Sequence, residues 1–90
     1  MSSNDQGNVR SQPISAQKVV AAVERVRAET HACSYSQVAK ALGITLGRAQ
    51  NHVDRLVKRG ALGQTPDVAG SIHVKNKRIA QRIDVDAANP

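Results

Sequence analysis

Apolar residues recur along this chain first with a helical period and then, over a short stretch, with the period of a strand. Val19, Ala22, Val23 and Val26 stand three and four apart, which predicts an amphipathic helix with one apolar stripe. Ser15 suits its N-cap, Ile14 the staple residue before it, and the end is expected near Glu29 or Thr30. Lys18, Arg25 and Arg27 fall off that stripe. Residues 30–33 make a short connection able to pair as a minor strand. Ser34-Tyr35-Ser36-Gln37 is a capping box, so a second helix is predicted from about Tyr35 to Leu42, with Val38, Ala39 and Leu42 turned inward. Gly43 fits the left-handed residue that stops it, Ile44 plugs the turn, and Thr45 is a further N-cap. The third predicted helix runs from Leu46 to about Arg59 and buries Leu46, Ala49, Val53, Leu56 and Val57. Gly60 closes it, with cations in its last turns as the helix dipole favours.

After Gly60 the period changes. Ala61-Leu62-Gly63-Gln64 reads as a strand and Thr65 to Gly70 as a loop punctuated by Pro and Gly. Ser71-Ile72-His73-Val74-Lys75 reads as a second strand with Ile72 and Val74 inward. The expected fold class is therefore α+β, three helices plus a two-stranded β-hairpin. Residues 1–13 are polar and without period, which predicts a disordered arm. The folded unit is expected over 14–75, followed over 76–90 by a basic, then flexible tail. Ile79 and Ile83 are spaced as on a short helix, but Asp84 onward reads as disordered.

Composition narrows the chemistry. Phe and Trp are absent and Tyr35 is the only aromatic among 90 residues, so Val, Ile, Leu and Ala must supply the core. The same lack argues against single-stranded nucleic-acid binding, which stacks bases on aromatic rings. A single cysteine, Cys33, excludes an internal disulfide framework and suits a reducing compartment. No apolar run approaches a membrane span, and the polar first ten residues carry no secretory pattern. His31, His52, His73 and Cys33 match no common metal-ligand spacing, so no metal or cofactor is expected. Without a phosphate loop, a carboxylate pair or a nucleophile motif, an enzyme is not expected either.

Charge is the strongest functional signal. The chain carries a net +6, and the stretch from Arg48 to Arg82 holds eight cations against two anions, which accounts for all of it. A small domain so charged is expected to meet a polyanion, with nucleic acid the leading candidate.

Two helices separated by Gly43-Ile44-Thr45 and followed by a hairpin follow the order of a winged helix-turn-helix. Ile44-Thr45 through Gly60-Ala61-Leu62, above all Val53-Asp54-Arg55-Leu56-Val57-Lys58-Arg59-Gly60, resembles the recognition helix of MarR-type regulators. Ser34 to Gly43 is similar to the second helix of LexA-type DNA-binding domains, and Gly70-Ser71-Ile72-His73-Val74 fits the end of a short wing. The similarity spans about 14–75 and implies a minimal head that binds double-stranded DNA.

That resemblance puts Gly47, Arg48, Gln50 and Asn51 into the major groove as base-reading residues. The residue types suit the task, because Arg grips guanine O6/N7 and Asn or Gln grips adenine N6/N7. Thr45, Arg55, Lys58, Lys75, Lys77 and Arg78 are expected on phosphates. The expected function is that of a small, cytoplasmic, nucleoid-associated transcriptional regulator, a homodimer whose contact falls on the first helix or on Ile79/Ile83. No small-molecule effector is indicated. An architectural or recombination accessory DNA binder and a protein-interaction module are the alternatives.

Overall fold

The computed structural model describes residues 14–88; the expected N-terminal arm lies outside them. The first helix, α1 (Ala16–Thr30), starts at Ser15, whose hydroxyl accepts a hydrogen bond from the Lys18 amide at 3.1 Å. It ends at His31, a left-handed residue whose amide donates to the Arg27 carbonyl. Helix α2 (Tyr35–Leu42) carries the complete capping box: the Gln37 amide donates to the Ser34 hydroxyl and the Ser34 amide to Gln37 Oε1. Helix α3 (Leu46–Arg59) is capped by Thr45, whose hydroxyl oxygen accepts from the Arg48 amide. Both α2 and α3 stop on a glycine at positive φ, Gly43 at 69° and Gly60 at 90°, a conformation that costs a residue with a Cβ about 1–2 kcal/mol.

Strands β1 (Leu62–Gly63) and β2 (His73–Val74) pair antiparallel, with Leu62 opposite Val74 and Gly63 opposite His73. A side chain on Gly63 would collide with the His73 imidazole, so the bare backbone there admits that ring. The expected minor strand is a single parallel bridge. The Cys33 amide donates to the Gly70 carbonyl and the Ile72 amide to the Cys33 carbonyl, which ties the α1–α2 connection to the hairpin. At the hairpin's far end the Thr65 amide donates to the Ser71 hydroxyl, which donates in turn to the Thr65 carbonyl.

Val19 and Val23 of α1, Val38 of α2, Val53 and Leu56 of α3, Leu62 and Ile72 form the centre of the core. Leu46, expected in the buried stripe, is instead about half exposed, at 49%. It occupies the first helical position, at the end of the stripe, where no facing element covers it.

The larger correction concerns the tail. Three helices were expected and four are present among the described residues, because Lys77–Ala88 forms α4. Asn76 begins it, its side-chain oxygen accepting from the Arg78 amide at 3.0 Å. Ala80 is fully buried, and Ile79 and Ile83 pack against the core. Two polar contacts fix its direction. Lys77 meets Glu24 at 2.9 Å just past the middle of α1, while the Asp84 carboxylate accepts from the amides of Ala16 at 2.6 Å and Gln17 at 2.9 Å at its start. Helices α4 and α1 therefore run antiparallel, and Asp84, expected in a disordered segment, caps α1 from 67 and 68 residues away. This also explains why Ala16 and Val20 are buried beyond the predicted stripe of α1.

Candidate nucleic-acid interface

Helix α3 presents a polar face because its apolar residues are confined to one side. Ala49, Val53 and Leu56 are buried, and at about 100° per residue the side opposite them holds Gly47, Asn51, Asp54 and Lys58. All four are exposed, as are Arg48, Gln50, Arg55 and Arg59. The base-reading candidates thus all face solvent in the first two turns, but they do not form one cluster. Gly47 and Asn51 sit centrally, whereas Arg48 and Gln50, two residues apart, project about 160° from each other on opposite flanks.

The cations sort by height along the helix. Arg48 and Arg55 share a flank with His52, whose imidazole is half-buried in a groove of about 400 Å³ between α3, α1 and α4. Burial, then Arg48, then Arg55 hold the His52 pKa below its ordinary 6.5, so the ring stays neutral at pH 7 and adds no charge. Lys58 and Arg59 stand in the last turn. Beside them the chain returns from the hairpin: the amides of Lys75 and Asn76 both donate to the carbonyl of Ala61, at 2.9 and 3.0 Å. Exposed Lys75 and Arg78 are thereby brought to the C-terminal end of α3, about 15 Å from the Arg48 end. Thr45 is exposed beside the opposite end.

One expected contact changes in meaning. Lys77 is turned toward α1 by its ion pair with Glu24, leaving its charge partly balanced. The hairpin loop from Gln64 to Ile72 contains no Lys or Arg and one acid, Asp67. The basic cluster expected where the chain leaves the second strand therefore stands at the base of the wing. Arg27 is set apart as well, its guanidinium donating to the Ile72 carbonyl at 3.0 Å.

Sequence reasoning missed one group. The Tyr35 hydroxyl donates to Asp54 Oδ1 at 2.7 Å and lies 3.0 Å from the Gln64 carboxamide oxygen, joining α2, α3 and the hairpin. The Asp54 hydrogen bond is the main reason the Tyr35 pKa is raised. The signal available beforehand was the presence of a single aromatic at the first position of α2. Cys33 is fully enclosed, and burial raises its pKa against the opposing pull of Arg27, so its thiol is a core group. Among the described residues no group of three or more His, Cys, Asp or Glu is placed to hold a metal ion, and no helix is long and apolar enough to cross a membrane.

The chain matches no protein-family model, no curated protein and no solved structure.

Proposed function

We propose that this chain is a winged helix-turn-helix domain that binds double-stranded DNA. Within that class we take it to be a small sequence-specific transcriptional regulator. The observation that carries the reading is α3 itself, capped by Thr45, with its polar residues exposed in the first two turns and its cations toward both ends. A helix about 10–12 Å across fits the major groove, which is about 12 Å wide. Asn51 would face the base edges, with Arg48 or Gln50 reaching bases from a flank. Arg55, Lys58, Lys75 and Arg78 would hold phosphates and set the register, a role that needs charge but no base contact. Thr45 adds a hydroxyl at a helix start, where anions are favoured.

Contact with the DNA backbone would pass through the base of the hairpin, since its loop carries Asp67 and no cation. One head covers few base pairs, so a homodimer on an inverted repeat fits the expected affinity. Ile79 and Ile83 are occupied within the chain's own core, which leaves the outer side of α1 as the dimer candidate.

A wing loop that carries no cation also favours a second reading, an architectural binder held by phosphate contacts from α3 and the hairpin base alone. Selection from a random duplex library at physiological salt separates the two. A palindromic motif supports the regulator. Enrichment without a motif, with a steep salt dependence, supports the architectural binder. No enrichment would refute both.

A further inference from the structure

Asp54 is the one acid of α3, and it lies on the exposed side of that helix with Gly47, Asn51 and Lys58. A carboxylate that merely balanced charge would turn to Lys58, four residues on, the spacing at which acid and base pair along a helix. Among the described residues no ion pair joins them. Tyr35 takes the carboxylate instead, donating to Oδ1 at 2.7 Å. A phenol is neutral, so it fixes the direction of the carboxylate without cancelling its charge. Oδ2 has no hydrogen bond among the described residues, and Asp54 is exposed, so one acceptor is held ready toward solvent.

An acid on a phosphate-facing surface repels every duplex equally. Discrimination between bases would offset that repulsion. A carboxylate accepts hydrogen bonds and donates none, so it is attracted to exocyclic amino groups and repelled by the acceptors of guanine and thymine. Adenine's amino group has the N7 acceptor beside it, whereas cytosine N4 has none on its major-groove edge. We infer that Asp54, positioned by Tyr35, is a specificity-determining residue that accepts a hydrogen bond from cytosine N4. This rests on the DNA-binding reading above.

The test is duplex-library selection with the wild-type chain, Asp54→Asn and Tyr35→Phe at one salt concentration, with the affinity of each for a random duplex measured alongside. The wild-type motif should contain a cytosine position that loses its preference in Asp54→Asn by roughly 5- to 150-fold, while affinity for random duplex rises. Tyr35→Phe should weaken the preference at that same position and leave random-duplex affinity unchanged, since no charge is altered. Because Asp54 is exposed, its variant carries the test even where Tyr35→Phe lowers the melting temperature. An unchanged motif in Asp54→Asn overturns the inference and leaves the DNA-binding reading standing. A motif sensitive to Asp54→Asn but indifferent to Tyr35→Phe removes the positioning role of Tyr35. A wild-type chain that selects no motif overturns the sequence-specific reading and this inference together.

Discussion

Replacing Asp84 by Ala should destabilise the whole domain, although the residue stands near the end of the chain on a half-exposed helix face. Its carboxylate accepts from the first two amides of α1, at 2.6 and 2.9 Å, two of the four donors that a helix start leaves without an internal partner. Loss of a capping side chain costs about 0.5–2 kcal/mol, and a hydrogen bond to a charged acceptor contributes about 1.5–3 kcal/mol when shielded from water. With Asp84 half-buried and two bonds lost, about 2 kcal/mol is expected. For a domain of this size that is a fall in Tm of roughly 10 °C. The helix that Asp84 pins also covers Ala16 and Val20, so helicity measured by circular dichroism should fall before the main transition. Asp86→Ala, an exposed acid two residues on, is the control and should leave Tm unchanged. Asp84→Asn should fall between the two, keeping one acceptor without its charge. A Tm for Asp84→Ala within a degree of the control would refute the account of α4 as a docked helix.

Arg48→Ala should relax preference at one base position and cost about 1–3 kcal/mol on the specific site with little change in salt slope; binding isotherms on the selected site and its single-base variants decide this, and an equal loss on every sequence would count against a base-reading role. Lys75→Ala should weaken all duplexes alike and reduce the salt slope by about 0.9, whereas Lys77→Ala should hardly change it, because Lys77 already faces Glu24; titrations across a range of salt test the contrast, and equal effects would refute the placement of Lys77. His52 makes stability depend on pH. Its folded pKa is depressed below the 6.5 of the unfolded chain, so the unfolded state takes up the proton first. Its contribution is complete above 6.5 and is lost as pH falls from 6.5 through the folded value. Urea melts at about pH 7.5 and about pH 5 should show a larger loss for the wild-type chain than for His52→Gln, and equal losses would show that the imidazole is not buried as described.

Much of this fold was legible locally. Ser15, Ser34 with Gln37, Thr45, Gly43 and Gly60 bound the three predicted helices, because a cap binds amides or carbonyls within its own turn and so writes its signal within a few residues. The hairpin followed from the change of period after Gly60, although of the strands expected over 61–64 and 71–75 only Leu62–Gly63 and His73–Val74 pair, in a register that the structure decided. The exposure of Gly47, Arg48, Gln50 and Asn51 followed from the stripe of Ala49, Val53 and Leu56 on the other side of α3.

What the sequence by itself determined is therefore the local elements and their apolar sides, since both depend on backbone geometry and near-neighbour spacing. The tertiary structure alone decided three further things. It made a helix of 77–88, a segment too short to be stable unaided, by giving Ala80, Ile79 and Ile83 a core to pack on and Asp84 the open amides of α1 to cap. It set Lys75 and Arg78, where the chain leaves the wing, beside the end of α3, through backbone hydrogen bonds to Ala61. It joined Tyr35, Asp54 and Gln64, residues 19 and 29 positions apart that no periodicity relates. In each case the partner lies far along the chain, and a contact of that kind becomes specific only when packing of the core has already brought the two segments together.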